Sequence, residues 1–304
     1  MSAHHVAIGL DAGGSTTQVV AEWEGSSERV ECCGPAANPN RVGIDRSAQV
    51  LSVLVREGTE ARGPIDRLAV CAGVAGAGRP DDQRALADRL RRELAGDADV
   101  VVVEVVHDAC IALEAAFGPE SGLVIIVGTG SVVWARTRVG TTRRTGGWGH
   151  RLGDPGSGYA VGRAGLRAVA AAFDGGTDTA LRARVAEAHG IDERAALLHE
   201  VYQEDLPLQD VAPLVVAAAA DGDPVATDIL ASQIDDLLRQ VEGLLRETDD
   251  VAPRIALLGG MLRSDHYKTA LREALADRFP DRSVKVPQEE PVVGALRRAR
   301  RLKD

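Results

Sequence analysis

The sequence contains few aromatic residues and no long apolar run. Aromatic side chains make up 3% of the 304 residues, while alanine and valine supply most of the apolar material. No stretch reaches the roughly 18 apolar residues that a membrane-spanning helix needs, and no such run precedes Ile8. We therefore expect no membrane partner, and small apolar side chains in this proportion are typical of an α/β protein.

Cysteine is also scarce. The four cysteines, Cys32, Cys33, Cys71 and Cys110, show no C-x-x-C spacing. An adjacent pair such as Cys32 and Cys33 is poorly suited to a disulfide or to a metal-ligand set. This pattern favours a reduced, cytoplasmic location.

Positive charge is in deficit, since 35 Lys and Arg face 45 Asp and Glu for a net charge of −10. This balance disfavours nucleic acid as a partner. The short arginine-rich stretch at 297–301 is interpreted as a solvated helix face or terminus. A chain of this length buries about 75% of its extended surface, so one large or two medium domains are expected.

The N-terminal stretch predicts a phosphate-binding hairpin. Strands at 6–10 and 17–23 flank an acid, Asp11, and a turn of glycines and hydroxyls. Backbone N–H groups in such a turn hold phosphate oxygens, and a carboxylate at a strand end holds Mg²⁺ through water. An ordinary hairpin is the alternative, although it would not require the acid. The residues of the turn are Gly13, Gly14, Ser15 and Thr16.

A second hairpin has the same plan. Strands at 123–127 and 132–135 flank the turn Gly128-Thr129-Gly130-Ser131. The two halves of the chain therefore look like an internal duplication, which would place two phosphate loops opposite one another across a cleft. The glycine-rich segment that follows, 146–158, mixes an indole, an imidazole and a carboxylate, which suits a sugar-sized ligand better than a packed core.

Asp108 follows a buried strand predicted at 100–106. A carboxylate at the carboxyl end of such a strand is a candidate general base, because α/β proteins bind ligands there. Alternatively, Asp108 caps the helix predicted at 109–117. The two roles are compatible.

The rest of the chain predicts alternating strands and helices, with a run of helices in the second half. The further strands are predicted at 28–33, 67–72, 254–258 and 283–286. The further helices are predicted at 44–55, 81–94, 157–173, 178–189, 193–204, 208–220, 224–247, 266–279 and 293–302.

Four motifs occur in order, namely DAGGST at 11–16, HDA at 107–109, GTGS at 128–131 with GGWGHRLGDPGS at 146–157, and LLGGMLRS at 257–264. Together they resemble the actin-like sugar-kinase superfamily, and more closely the N-acetylglucosamine kinase branch of the BadF/BadG/BcrA/BcrD ATPase family. The resemblance implies an α/β fold of two duplicated ribonuclease H-like (actin-like ATPase) domains, with mixed sheets flanked by helices and a cleft between the domains. The domains are expected at 1–118 and 119–304, with a helical insertion at about 175–250 and a terminal helix, 292–304, that can pack back on the first domain.

The resemblance also implies roles for individual residues. Asp108 is the base that takes a proton from the sugar hydroxyl, and Asp11 lies near Mg²⁺. The sugar is bound by Asn38, Asp108, Gly147, Trp148, Gly149 and Asp154. The nucleotide is bound by Gly13, Gly14, Ser15, Thr16, Thr129, Gly130, Gly259, Gly260 and Ser264.

The implied activity is ATP-dependent transfer of the γ-phosphoryl group to the 6-hydroxyl of an amino sugar, with N-acetylglucosamine the first candidate. ATP and Mg²⁺ are the implied cofactors, and a homodimer is the implied assembly. Two positions depart from the family pattern: Pro155 stands where members usually carry an acid, and His107 precedes the base where Asn or a small polar residue is common. Both departures bear on the identity of the sugar.

Three alternatives stay open. A kinase of glucosamine, N-acetylmuramic acid or another modified hexose would use the same motifs. An ATPase that activates an iron–sulfur reductase would need cluster-ligating cysteines, whose pattern is missing here. A sugar sensor without turnover would have no need of the base Asp108.

Overall fold

The computed structural model of the protein describes residues 4–26, 28–60 and 64–302. The last two residues of the helix expected at 292–304 therefore lie outside the described residues. The chain divides into two units, one formed by Met1–Glu120 with Pro287–Asp304 and the other by Ser121–Val286. In the part of the chain that is described, no helix is both long enough and apolar enough to cross a bilayer.

The first unit is built on a five-stranded mixed sheet with the order β3-β2-β1-β4-β5. Strands β1 to β3 are antiparallel neighbours, whereas β4 and β5 continue the sheet in parallel with β1. The strands are β1 (His5–Ala12), β2 (Thr16–Trp23), β3 (Arg29–Pro35), β4 (Ile65–Val74) and β5 (Ala98–Val106). The helices are α1 (Pro39–Val42), α2 (Ile44–Thr59), α3 (Pro80–Glu93), α4 (Asp108–Phe117) and, from the end of the chain, α11 (Pro291–Ala299).

Helices cover both faces of this sheet. Leu51 of α2 and Leu90 of α3 are fully buried in a core with Ile8 and Leu10 of β1. On the other face, Ile111 of α4 lies in a separate buried cluster with two alanines of α11. Because successive strand residues point to opposite faces, β1 supplies apolar side chains to both layers.

Two glycines allow close backbone contact of α11 with β1 and with α4. A Cβ atom on Gly9 of β1 would lie 2.3 Å from the backbone nitrogen of Leu296, and a Cβ atom on Gly294 would lie 2.0 Å from the carbonyl oxygen of Ile111. Both contacts are with backbone atoms, which cannot rotate away. The close fit therefore fixes where the start of α11 lies relative to the end of β1.

The arginines at the end of the chain form ion pairs within the first unit, which the interpretation of 297–301 as a solvated helix face or terminus did not include, although Arg300 and Arg301 are exposed as it expects. Arg298 holds Glu104 of β5 with Nη2–Oε1 at 2.5 Å and Nε–Oε2 at 3.0 Å. Arg301 lies 2.7 Å from Glu114, whose side chain is 1% exposed. Sequence periodicity could not show this, because the paired carboxylates lie far away in the chain.

The second unit is built on another five-stranded sheet, with the order β10-β9-β6-β7-β8. Its strands are β6 (Gly122–Val127), β7 (Ser131–Arg136), β8 (Thr142–Gly146), β9 (Arg254–Leu258) and β10 (Ser283–Lys285). Its helices are α5 (Gly158–Phe173), α6 (Leu181–His189), α7 (Arg194–Tyr202), α8 (Ala212–Ala220), α9 (Pro224–Arg246) and α10 (Asp265–Arg278). Short 3₁₀ helices at Leu208–Val211 and Gly260–Arg263 precede α8 and α10.

The two sheets have the same topology. In each, two antiparallel pairings link the first three strands of the unit, and two parallel pairings add the last two strands. The duplicated mixed α/β fold is therefore confirmed. Strand β8 was not predicted, because it is an edge strand of mainly polar residues without apolar alternation.

Candidate active site

The first unit collects its candidate residues at one edge of its sheet. Strands β1, β4 and β5 are parallel, so their carboxyl ends share that edge, which is where α/β sheets bind ligands. Asp11 lies near the end of β1, and Asp108 is the first residue of α4, one residue after β5 is complete. The sheet therefore brings the two carboxylates predicted from sequence to the same place.

Asp11 is a half-buried carboxylate among other negative charges. Burial, followed by the charges of Asp108 and Glu290, raises the pKa of Asp11 from 3.8 to about 7. Glu290 occupies the N-cap position of α11, and its carboxylate accepts a hydrogen bond from Gln18, the partner of Asp11 on β2, at 3.2 Å. Glu290 was not predicted from the sequence, in which the only signal is an acid immediately before Pro291 and a terminal helix.

The turn after β1 has the exposure that a ligand-binding loop needs. The turn is closed by a hydrogen bond from the Gly13 nitrogen to the Thr16 carbonyl at 2.9 Å, while Gly14 and Ser15 are exposed. Arg41 of α1 donates to the Gly14 carbonyl at 2.9 Å. Among the described residues, no carboxylate pairs with Arg41, so its positive charge stays available beside the loop.

Asn38 is held in place by its own helix cap. Its side-chain oxygen accepts from the Asn40 nitrogen at 2.9 Å, and the Asn40 amide donates to the Gly76 carbonyl at 3.2 Å. A Cβ atom on Gly76 would lie 2.2 Å from the Asn38 oxygen, so this position requires glycine. The loop after β4 thereby locks Asn38 at the ligand edge, with its side-chain NH₂ free to donate to a ligand.

Asp108 does not cap α4, contrary to one of the two sequence-based interpretations. His107 occupies the N-cap position, and its Nδ1 lies 3.2 Å from the Ala109 nitrogen. Asp108 instead begins the helix, and its Oδ1 accepts from the Ala109 nitrogen at 2.7 Å. The side chain of Asp108 is 34% exposed, which leaves its other oxygen accessible.

The second unit organises the GTGS turn between β6 and β7. The Gly128 nitrogen donates to the Gly130 carbonyl at 2.8 Å, and the nitrogens of Gly158 and Tyr159 at the start of α5 donate to the carbonyls of Gly128 and Thr129. The side chain of Thr129 is exposed. The N-terminus of α5 therefore supports the turn from behind and leaves its outer surface for a ligand.

Asp154 is packed against this turn. Its side chain is 4% exposed, and a Cβ atom on Gly130 would lie 2.7 Å from its Oδ2. Burial raises the pKa of Asp154, although the backbone N–H groups of Gly149 and Ser131 and the charge of His150 oppose the shift. Its Oδ1 is buried without a hydrogen-bond partner, and its φ of 65° lies in the left-handed region. A strained residue with an unsatisfied buried oxygen is typical of a ligand site.

In the rest of the glycine-rich segment, some residues contact neighbouring elements and others are exposed. Gly147 donates to the Ser131 carbonyl at 3.1 Å, which ties the segment to β7. His150 packs against Tyr159 with the ring centroids 4.4 Å apart and the ring planes tilted by 44°. Trp148 is 72% exposed and Gly149 has a φ of 84°, so the indole projects from a backbone turn that favours glycine.

The turn after β9 lies beside the GTGS turn and opens onto a groove. Gly259 has a φ of 109°, and a Cβ atom on it would lie 2.2 Å from the Val127 carbonyl oxygen. Ser264 uses its hydroxyl to cap α10. Gly260, Ser264 and Met261 line a groove of about 500 Å³ whose opposite wall is α8. A mainly apolar groove of this size suits a nucleoside.

The chain is similar to known proteins over most of its length. The family model of the BadF/BadG/BcrA/BcrD ATPase family matches residues 8–299. The chain belongs to the BadF/BadG/BcrA/BcrD ATPase family. Two curated relatives are an N-acetylmuramic acid/N-acetylglucosamine kinase from Clostridium acetobutylicum, 29% identical over 86% of each chain, and an N-acetyl-D-glucosamine kinase from Dictyostelium discoideum, 28% identical over 95% of each chain.

A solved structure shares the fold of this BadF/BadG/BcrA/BcrD ATPase family member. The crystal structure of a protein proposed to be an N-acetylglucosamine kinase from Chromobacterium violaceum superposes with a TM-score of 0.76. The sequence identity is 24%, and the match covers 96% of this chain and 98% of the other. The actin-like fold is therefore common to both proteins.

The residues present fit the cofactors that the family implies. ATP use follows from membership of an ATPase family. In the described ranges, no group of three or more His, Cys, Asp or Glu side chains is arranged to hold a metal ion alone. Mg²⁺ usually takes one or two carboxylates and completes its shell with water and phosphate oxygens. The desolvated carboxylate of Asp11 beside an exposed glycine turn fits such a shared site.

The described residues show no set of cysteines arranged to bind an iron–sulfur cluster. Cys32 and Cys33 are neighbours on the edge strand β3 and so point to opposite faces, and Cys71 is fully buried with its sulfur 3.5 Å from a carboxylate oxygen of Glu104. The structure therefore adds nothing in favour of an iron–sulfur activator.

Proposed function

We propose that the protein is an ATP- and Mg²⁺-dependent kinase that phosphorylates the 6-hydroxyl of an N-acylated amino sugar, with N-acetylglucosamine as the preferred acceptor. Sugar-kinase activity agrees with the names of both curated relatives. The observation that carries the proposal is the placement of Asp108: an accessible carboxylate at the ligand edge of the first sheet, beside a second carboxylate and an exposed glycine turn.

Phosphoryl transfer requires little covalent chemistry from the protein. The acceptor must be held in line with the γ-phosphoryl group, its proton must be taken up, and the phosphate charge must be neutralised. We assign proton uptake to Asp108 and acceptor binding in the first unit to Asn38. The exposed turn at 13–16 supplies backbone N–H groups to phosphate oxygens.

The second unit contributes the remaining groups. Thr129 and Gly130 would bind phosphate, and the groove beside Gly260 and Ser264 would take the adenosine. The unsatisfied oxygen of Asp154 would accept from a sugar hydroxyl. Mg²⁺, when bound, would be held by Asp11 through water and would offset negative charge on the phosphates.

The test is an ADP-release assay with the purified chain over N-acetylglucosamine, N-acetylmuramic acid, glucosamine and glucose, with the product identified by ³¹P and ¹H NMR. We expect N-acetylglucosamine 6-phosphate. Asp108→Asn should lower kcat by about 10³-fold or more while sugar binding by calorimetry changes little, because the variant removes only the base. Asp99→Asn, on an exposed position of β5, is the matched control. Sugar binding without ADP release by the wild type would instead support a sensor.

We further propose that the protein works as a homodimer in the cytoplasm. None of the four cysteines forms a disulfide, and one of them, Cys33, is exposed, which agrees with a reducing compartment. Light scattering coupled to size-exclusion chromatography tests the dimer, since a single species at the mass of one chain would contradict it.

A further inference from the structure

The side chain before the candidate base is in direct contact with it. The His107 Nδ1 lies 2.6 Å from the Asp108 Oδ1, and the same oxygen accepts from the Ala109 nitrogen at 2.7 Å. The His107 side chain is only 14% exposed. Two groups therefore converge on Oδ1, whereas Oδ2 of Asp108 has no protein partner among the described residues.

The contact fixes the tautomer of His107 when Asp108 is ionised. An ionised carboxylate only accepts hydrogen bonds, so a nitrogen 2.6 Å away must carry the proton to be attracted to it. A proton on Nδ1 is incompatible with the alternative in which Nδ1 accepts from the Ala109 nitrogen at 3.2 Å. The shorter distance from that nitrogen to Oδ1, 2.7 Å, shows where the Ala109 N–H goes.

We infer that His107 is a positioning residue for the base: its Nδ1–H, with the Ala109 N–H, holds Oδ1 of Asp108 and leaves Oδ2 to take the proton of the acceptor hydroxyl. This inference rests on the proposed kinase function. In that step the hydroxyl O–H bond breaks, the proton goes to Oδ2, the new O–P bond forms, and the bond to ADP breaks. His107 neither gains nor loses a proton.

The direction of the effect follows from geometry. Without the Nδ1–H donor, the Asp108 side chain is held by one hydrogen bond instead of two, so it samples orientations in which Oδ2 is misplaced. A misplacement of about 1 Å costs up to about 10²-fold in rate. Because an asparagine side chain offers an N–H at a comparable distance from its backbone, His107→Asn should retain the contact with Oδ1.

The experiment compares His107→Leu and His107→Asn in the full chain with the wild type. We expect His107→Leu to lower kcat 10- to 100-fold with the KM of the sugar changed by less than about threefold, and His107→Asn to stay within about threefold of wild-type kcat. His199→Leu, which removes a half-exposed histidine of α7, should leave kcat unchanged. If His107 only caps α4, His107→Leu will lower Tm and leave kcat unchanged, which overturns the inference.

A spectroscopic readout separates this inference from the proposed function. In ¹⁵N-labelled protein, the neutral His107 ring should be in the Nδ1–H tautomer in the wild type. A neutral ring protonated at Nε2 overturns the inference whether or not the protein is a kinase. Failure of the wild type to phosphorylate any sugar overturns the proposed function while the tautomer still reports on the His107–Asp108 contact.

Discussion

Replacement of Asp11 by asparagine should stabilise the protein while it abolishes activity. The pKa of Asp11 in the folded chain is about 7, compared with an ordinary value of 3.8, and burial is the main cause, followed by the charges of Asp108 and Glu290. A raised carboxyl pKa means that ionisation is disfavoured in the folded state. Stability linked to Asp11 is therefore fully present below about pH 4 and is lost as the pH rises to about 7.

The size of the effect follows from the shift. A difference of about three pKa units, at 1.36 kcal/mol each, corresponds to about 4 kcal/mol above pH 7. Salt screens only the smaller part due to the neighbouring carboxylates, so we expect about 3 kcal/mol at physiological ionic strength. Asparagine has the same shape without the charge, so Asp11→Asn should raise the free energy of unfolding by that amount at pH 8.

The assay is chemical denaturation followed by circular dichroism at pH 8 and pH 4, in EDTA. The stability gain of Asp11→Asn should be present at pH 8 and nearly absent at pH 4, and sugar phosphorylation should fall by at least 10²-fold. Asp99→Asn, an exposed change on the same sheet, should stay within about 0.5 kcal/mol of the wild type at both pH values. Equal or lower stability of Asp11→Asn at pH 8 would refute the argument that Asp11 is held ionised at a cost.

Three further substitutions test the packing and the loops. Gly9→Ala should lower the free energy of unfolding by about 3 kcal/mol or more in urea titrations, because its Cβ would lie 2.3 Å from the backbone of Leu296. Gly130→Ala should raise the sugar KM at least tenfold with little change in Tm, since its Cβ would displace the Asp154 carboxylate. Arg41→Met should raise the KM for ATP about tenfold, because it removes a cation and a hydrogen bond from the first phosphate turn.

Control substitutions for Gly9→Ala and Arg41→Met should have the opposite effect or none. Gly243→Ala, in α9 where the added Cβ meets nothing within 4 Å, should stabilise the protein by about 0.5–1 kcal/mol. Arg46→Met, near Arg41 but on the exposed surface of α2, should leave the KM for ATP unchanged. A wild-type-like Gly9→Ala variant, or an equal effect of the Arg41 and Arg46 changes, would contradict the corresponding argument.

The two hairpins were predicted correctly from local sequence. The strand, acid and glycine turn around Asp11 and the repeat of that plan around Thr129 predicted both hairpins, because alternation, turn residues and strand length are decided within a few positions. The same reasoning placed Asp108 at the end of a buried strand. The assigned roles of these residues and the domain boundary at 118 stay predictions.

Contacts between residues far apart in the chain could not be predicted from local sequence patterns. Strand β8 was not predicted from periodicity, since an edge strand needs no buried face. The ion pairs of the arginines at 297–301 were not predicted either, because their partners belong to other elements. Asp108 was open to interpretation as a cap, but the fold gives that position to His107.

The duplicated plan, the two glycine turns and the acids at the ends of strands β1 and β5 were all predictable from local sequence. Only the tertiary structure brought Glu290, which bonds to Gln18 across 272 residues, to the carboxylate of Asp11. It also placed the buried oxygen of Asp154 against Gly130. The physical reason is that turns and strands depend on neighbouring residues, whereas the ionisation and orientation of a side chain depend on whatever packing brings next to it.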